Sequence, residues 1–296
     1  MMTHESLSII IPAKNESTGL RKILPQIRKL YPEAEILVVN DGSSDNTVDI
    51  CTDLGVSVVT HPYSIGNGGA VKTGARNASG NIFLFMDGDG QHKPEDIPLL
   101  LEKIDMGYDM AVGARQADTH ASIFRRFANS FYNRFASIMT GYQIDDLTSG
   151  FRAVRARHFT KFLYLLPNGF SYPTTITMAF FRSGLTITYV PILASQREGK
   201  SHISLLKDGF RFLIIILKIG TLFSPMRLFL PSSAVLFTTG IGYYCYTYMT
   251  SGRFTNMSAL LFTSGLIIFL MGLISEQISS LHYKHAEETQ RRTTRD

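Results

Sequence analysis

The sequence predicts an α/β domain, a parallel sheet with helices on both faces, followed by a membrane-associated helical region. Three observations predict it. Short apolar runs alternate with helical patterns as far as Val112, polar or glycine-rich sequence follows each run, and nearly all long apolar stretches lie after Phe210. At 296 residues the chain is long enough for one large α/β domain and an additional region.

Leu7–Ile11, Ile36–Val39, Ser57–Thr60, Ile82–Met86 and Met110–Val112 read as buried strands. Between them Ser17–Leu30, Asp45–Leu54, Ala70–Ala78 and Pro94–Ile104 read as helices. Strand–helix alternation at this spacing joins parallel strands through helical crossovers. In such sheets a ligand sits beyond the C-terminal strand ends, so the polar residues after each strand are the candidates for function.

The C-terminal region differs in kind. No charged residue occurs from Leu228 to Gly252, nor from Phe254 to Ser275, and each run is long enough for a bilayer core of about 20 residues. Arg253 lies in the turn between them. Arg211, Lys218 and Arg227 precede the hairpin, and Lys284, Arg291, Arg292 and Arg295 follow it, which places both flanks in the cytoplasm. Just upstream, Lys200, Lys207, Arg211 and Lys218 fall within about 40° on a helical projection. Leu206, Phe210, Leu213, Ile214 and Leu217 occupy the other faces, the pattern of an interfacial helix on an anionic leaflet. The expected organisation is a catalytic domain over 1–202, an interfacial helix over 203–227, two membrane helices within 228–281 (about 228–250 and 257–278) and a polar cytoplasmic tail over 282–296, disordered from Glu287.

Composition agrees. Hydrophobic residues make up 45% of the chain and mean hydropathy is +0.07, high for a protein without membrane segments. The net charge of +5 and pI near 9.1 suit a phosphate-bearing substrate, an anionic membrane or nucleic acid. Nucleic acid is disfavoured because the basic residues cluster beside apolar helices and not with exposed aromatics. Cys51 and Cys245 lie in different halves and form neither a disulfide framework nor a metal cluster. The N-terminus MMTHESLSIIIP lacks a basic segment followed by a long apolar one, so no cleavable signal peptide is expected.

The segment FLFMDGDGQH carries the main chemical signal. Asp87 and Asp89 follow a buried run two residues apart, with Gln91 two further on. Carboxylates this close raise each other's pKa unless a cation lies between them, and oxygen ligands suit Mg²⁺ or Mn²⁺. Such an ion neutralises charge developing on a diphosphate leaving group. A lone Asp-x-Asp is also what an ordinary turn supplies; its place at a strand end favours the site. Two other strand ends, IPAKNES and VVNDGSSDNT, point to the same crevice. Asp41 can accept hydrogen bonds from a ribose or base. Ser43 either touches ligand or caps the next helix, and Glu16 either does so or interacts with a helix dipole. The connection IGNGGAVKTGA bears Lys72 but matches neither a P-loop nor a dinucleotide fingerprint, which argues against an ATPase or dehydrogenase.

Taken in order, IPAKNES, VVNDGSSDNT, GNGGAVKTGA, MDGDGQH, VGAR and DLTSGFR resemble the inverting glycosyltransferase family 2. Within that family they are most similar to the branch of dolichol-phosphate mannose synthases and undecaprenyl-phosphate sugar transferases. The resemblance covers about residues 6–202. It implies a GT-A-type, Rossmann-like fold with a mixed, mostly parallel sheet. It implies that Pro12, Ala13, Glu16 and Asp41 hold the nucleotide, with Asn15, Ser43, Lys72 and Asp87 completing the donor set. It also implies that Asp87, Asp89 and Gln91 hold the metal and diphosphate, and that Arg115, Arg126 and the segment with Arg197, Lys200 and Ser201 surround a lipid phosphate. Arginine suits bidentate phosphate binding. Arg125, Arg134 and Arg152 read equally well as surface or structural residues. Phe124, Phe127, Phe131 and Phe135 recur at helical spacing, as core packing does.

Asp146 is a candidate catalytic base for a hydroxyl acceptor, or it orients Arg152. A phosphate acceptor, already ionised near neutral pH, needs no strong base, and the orienting role is favoured. Several mannose synthases of that branch carry acidic residues after the Gly-Phe that follows SGFR, whereas NGFSYPTTITMAFF has none, so the resemblance does not fix the sugar or the acceptor. The expected reaction is transfer of one sugar from a UDP- or GDP-sugar to a polyprenyl phosphate on the cytoplasmic membrane face. The alternative acceptor is a lipid hydroxyl such as that of diacylglycerol. A processive polysaccharide synthase is disfavoured because its Gln-x-x-Arg-Trp segment needs a tryptophan and the chain has none. A non-catalytic scaffold is disfavoured by the intact Asp87 and Asp89. A homo-oligomer remains open.

Overall fold

The structure, a computed structural model, describes residues 6–115, 123–169, 171–193 and 224–293, with 214, 217, 218, 220 and 221 between; for 123–129 and 282–293 it describes the backbone alone. These residues fall into two compact units, one within 1–134 and 142–212, the other within 135–141 and 213–296.

In the first unit, β1 (Leu7–Ala13), β2 (Glu35–Asn40), β3 (Ser57–Thr60), β4 (Ile82–Phe85) and β5 (Met110–Arg115) occur where apolar runs predict them. Helices α1 (Ser17–Leu30), α2 (Thr47–Asp53), α3 (Asn67–Asn77) and α4 (Ile97–Asp105) connect them, with a 3₁₀ turn at Pro94–Asp96 before α4. Then follow α5 (Ile123–Thr140), β6 (Arg152–Arg155), α6 (Ala156–Phe159), a 3₁₀ segment (Thr160–Leu165), α7 (Tyr172–Arg182) and β7 (Ile187–Ile192). The sheet is seven-stranded in the order β3-β2-β1-β4-β6-β5-β7. All pairings are parallel except those of β6, which is antiparallel to β4 and to β5. The expected mixed, mostly parallel sheet is therefore present.

Side chains alternate between the two faces. Ile9, Ile11, Val38, Leu84 and Ala111 pack with Leu20, Ile23 and Ile27 of α1 and Ile97, Leu100 and Ile104 of α4. On the opposite face Leu37 and Val39 pack with Ala70 of α3. There Gly74 lies so near Ile10 that a Cβ would come within 2.3 Å of its Cγ2. Burying each apolar side chain contributes roughly 1.5–3 kcal/mol, so this two-faced core is what holds the strand ends in fixed register.

In the second unit α8 (Met226–Ser251) and α9 (Asn256–Thr293) form an antiparallel hairpin, α8 ending at Gly252 with φ 61°. Met226–Ser251 and Asn256–Leu281 are long and apolar enough to cross a membrane, and only 11% and 17% of their apolar windows are buried. A core helix of a water-soluble domain is mostly covered; these are not. Small residues let the helices approach, with Gly240 against Phe262, Gly265 against Phe237 and Gly272 against Phe229. The Ser233 hydroxyl donates across the pair to Gly265 O at 2.8 Å. Glu276 accepts from Met226 N at 3.5 Å, placing a carboxylate at the positive end of α8.

The tail expected to be disordered from Glu287 is helical as far as Thr293, because Ala, Glu, Gln, Lys and Arg are strong helix formers that extend α9. The interfacial helix lies mostly outside the described residues.

Candidate active site

The C-terminal ends of β1, β2, β4 and β5 converge on one edge of the sheet. After β1, Asn15 adopts φ 57°, a left-handed conformation that asparagine tolerates. Its backbone N–H donates to Ser43 Oγ at 2.9 Å, and its Oδ1 accepts from Ser44 N at 2.8 Å. Asp45 accepts from Ser17 N at 3.1 Å, and Thr47 Oγ1 accepts from Glu16 N at 3.3 Å. Of the expected donor residues, Asn15, Glu16 and Ser43 thus sit together at the mouths of β1 and β2. Pro12 and Ala13 form the end of β1 itself.

Asp41 has a different occupation from the one expected. It is buried, and its carboxylate accepts from His61 Nδ1 (2.8 Å), Ser64 Oγ (2.7 Å), Ile65 N (2.7 Å) and Gly66 N (2.9 Å). Burial alone would raise its pKa, but these hydrogen bonds outweigh it and hold the carboxyl down at about 2. Through these hydrogen bonds Asp41 fastens the loop after β3. Lys72 is likewise engaged: its ammonium donates to Leu166 O at 3.1 Å and to Asn168 Oδ1. It ties α3 to the loop before α7. Backbone bonds Gly68 N to Gly169 O and Gly69 N to Asn168 O reinforce that tie.

The turn after β4 lies over the end of β1. A Cβ on Gly88 would lie 3.3 Å from Glu16 Cβ and 3.5 Å from Ala13 Cβ, while one on Gly19 would lie 2.1 Å from Gly88 O. Only glycine at position 19 lets α1 carry this turn. Gly19→Ala is expected to cost about 1–3 kcal/mol through overpacking, read as a lower thermal midpoint. Asp89 Oδ1 accepts from Gln91 N at 3.0 Å, which shapes the turn. The Asp87 side chain is partly exposed, and Gly150 packs so closely on it that a Cβ there would lie 3.0 Å from Oδ2.

His92, which the sequence reading left without a role, lies beneath. Its ring stacks on Phe151 with centroids 4.9 Å apart and planes 15° from parallel. Its Nδ1 accepts from Asp87 N at 3.3 Å, so a neutral ring carries its proton on Nε2. Burial pushes the imidazole below the ordinary histidine range, against the pull of Asp87 and Asp89. Its 3.9 Å approach to Asp87 Oδ2 is therefore not a hydrogen bond.

Across the crevice Arg115 ends β5. Asp146 Oδ2 accepts from Arg115 Nε at 2.8 Å and Oδ1 accepts from Nη2 at 3.1 Å, a bidentate pair. Thr148 adds an acceptor for Nη2 at 2.6 Å, and its own N–H donates to Asp146 Oδ1 at 3.0 Å. Burial would raise the Asp146 pKa, but Arg115 outweighs it and holds the carboxyl below its ordinary value. The orienting role favoured for Asp146 thus falls on Arg115 and not, as expected, on Arg152. Arg115 also feels the attraction of Asp87 and Asp89, which adds to that of Asp146. Arg152 is instead fully buried.

The side chain of Arg126 and the whole of Arg197, Lys200 and Ser201 lie outside the described residues. Arg134 is exposed on α5. Among the described residues no group of three His, Cys, Asp or Glu side chains gathers as a closed metal centre would. Two carboxylates at a turn fit an open site for a hard divalent ion that keeps waters and accepts phosphate oxygens. Asp87, Asp89 and the neighbouring Gln91 supply that chemistry.

Comparison with known proteins agrees with this geometry. Residues 8–163 match the profile of glycosyl transferase family 2, and residues 224–281 match that of the GtrB C-terminal hairpin. The chain is 26% identical to glycosyltransferase AglJ of Haloferax volcanii, covering 95% of this chain and 96% of that one. It is 26% identical to the undecaprenyl-phosphate 4-deoxy-4-formamido-L-arabinose transferase of Klebsiella pneumoniae, over 94% and 89%. It is 30% identical to the polyprenol monophosphomannose synthase of Mycolicibacterium smegmatis, over 66% and 80%. Among solved structures, glucosyl-3-phosphoglycerate synthase from Mycobacterium tuberculosis in complex with Mn²⁺, UDP-glucose and phosphoglyceric acid shares the fold. Its TM-score is 0.62 at 19% identity, over 73% of this chain and 80% of that one. The two apolar helices and the hairpin profile mark a membrane protein, and its sheet, strand-end carboxylates and matched profile place the chain in glycosyl transferase family 2, as a glycosyltransferase.

Proposed function

We propose that the protein transfers one sugar, with inversion at the anomeric carbon, from a nucleoside-diphosphate sugar to a polyprenyl phosphate. The observation that carries this reading is the placement of two carboxylates, Asp87 and Asp89, after β4 and of an arginine clasp, Arg115–Asp146, at the end of β5, on the same edge of the sheet. The carboxylate side suits the donor diphosphate, and Mg²⁺ or Mn²⁺ held by Asp87, Asp89 and Gln91 would supply charge neutralisation there. The solved relative with Mn²⁺ and UDP-glucose and the named polyprenyl-phosphate transferases support the same assignment.

On the donor side Pro12, Ala13, Asn15, Glu16 and Ser43 line the β1 and β2 ends and hold the nucleotide. Asp41 and Lys72 act at one remove, by fixing the loops on either side of α3. On the acceptor side Arg115 presents a guanidinium preorganised by Asp146 to the lipid phosphate, joined by Arg126, Arg197, Lys200 and Ser201. The acceptor phosphate is already an oxyanion, so no protein base is required. The saturated Asp146 counts against the lipid-hydroxyl alternative. The domain of residues 1–202 faces the cytoplasm, 203–227 lies along the leaflet, and the hairpin within 228–281 anchors it, as the flanking cations suggest.

The test is incubation of the detergent-solubilised protein with radiolabelled UDP- and GDP-sugars and either polyprenyl phosphate, the free polyprenol or diacylglycerol. Label is expected only in the phosphate lipid, and only with divalent cation present. Label in diacylglycerol, or transfer unaffected by chelation, would count against the proposal.

A further inference from the structure

Arg152 is the largest fully buried side chain of the described residues, and its surroundings are neutral. Nη1 donates to Pro173 O and Thr177 Oγ1, each at 3.3 Å, and approaches Met110 Sδ at 3.8 Å; Nη2 donates to Ser149 O. The Tyr172 ring lies 5.9 Å from the guanidinium carbon, a modest cation–π contribution. Among the described residues no ion pair with a carboxylate relieves the charge, and Nε has no acceptor. Asp146 and Asp87 attract the group only from a distance, and Asp146 is already committed to Arg115. Arginine remains charged in proteins, so a buried cation without a counter-anion is costly.

Two further buried groups are in the same condition: Thr174 Oγ1 and Tyr189 OH also have no partner among the described residues. Register brings them together. Val112 of β5 is aligned with Arg152 on one side and with Tyr189 on the other, so these two side chains leave the same face of the sheet. Arg152 reaches Thr177 on α7, and Thr174 lies three residues earlier on that helix, on the same side. A guanidinium N–H and two hydroxyls therefore lie on the same side of the sheet, the side that carries α7. A water molecule would satisfy the hydroxyls but leave the charge; a small anion satisfies both. We infer that Arg152, Thr174 and Tyr189 form an internal site for a small monovalent anion of the chloride class, behind the loop whose Gly150 supports Asp87.

The test uses the full-length protein in detergent. Thermal unfolding is followed across a sodium chloride titration with sodium gluconate holding ionic strength constant, for wild type, Arg152→Met and Tyr189→Phe. A ligand of the folded state alone raises the midpoint in a saturable way. The expected result is a chloride-specific rise in wild type and its loss in Arg152→Met. Tyr189→Phe, which keeps the ring and its packing, is expected to raise the half-saturating chloride about tenfold, as loss of one hydrogen bond to an anion does. A crystal grown in bromide should show an anomalous peak beside Arg152 Nε. Identical midpoints in chloride and gluconate for the wild type, an unchanged chloride response in Tyr189→Phe, or a bromide crystal without that peak would each overturn the inference.

Discussion

Asp89→Ala is expected to reduce sugar transfer on the order of a thousandfold, the loss seen when a charge-stabilising group is removed from a transition state. The fold should survive it. Asp89 is partly exposed and its described hydrogen bond, from Gln91 N, is local to one turn. Losing that bond costs about 1 kcal/mol. The measurement is initial rate at saturating donor and acceptor beside a thermal unfolding curve. A variant that retains more than a tenth of wild-type activity with an unchanged midpoint would remove Asp89 from the diphosphate site. Asp87 is a less clean probe, because its carboxylate packs on Gly150 and its N–H is held by His92.

The largest effect on stability belongs to Asp41. Alanine there would strand His61, Ser64 and two backbone N–H groups, of Ile65 and Gly66, in a buried setting. Breaking such a network costs about 3–5 kcal/mol, a large part of the margin that keeps a domain folded. Asp41→Asn retains shape but loses charge, and its effect should depend on pH. The folded-state pKa of about 2 lies below the unfolded value, so the carboxylate stabilises the fold at neutral pH. That contribution, about 2 kcal/mol, is lost as pH falls from about 4 through about 2. Thermal midpoints of wild type and Asp41→Asn should converge across that range; a gap that is constant from pH 7 to pH 2 would contradict the assignment.

Much of the architecture could be read in the chain because it is written locally. Buried strands β1, β2, β4 and β5 are short apolar runs punctuated by polar sequence, and the carboxylate turn follows β4 immediately. The hairpin α8–α9 follows from two runs without charge. β6 was not legible: four residues, RAVR, with an arginine at each end do not look like a central strand. Nor was α7, whose Thr- and Ile-rich sequence favours extended structure and which is buried on all sides. β7 did carry a signal, the β-branched and aromatic run ITYVPI, that periodicity could have found.

The site divides along the same line. Asp87, Asp89 and Arg115 are placed by the strands that precede them, so sequence position suffices. The duties of Asp41, Lys72 and Asp146 depend on partners 20 to 96 residues away, which only the folded chain brings near. His92, Gly19 and Gly150 act through contact and absence of bulk; His92 and Gly150 stood inside quoted motifs without a role read from them, and Gly19 stood outside any.

The place of β6 also bears on how the protein is made. It is the strip that joins β3-β2-β1-β4 to β5-β7, since β4 and β5 do not touch. A nascent chain that has left the ribosome only as far as β5 holds four paired strands with an open edge at β4 and a lone, unpaired β5, each a hazard for wrong pairing. β5 can join the sheet only after Arg155 emerges, and that same event delivers the loop bearing Asp146 and Gly150. Closure of the sheet and assembly of the catalytic crevice are thus one late step of biogenesis, and a ribosome stalled before β6 carries a chain without a crevice.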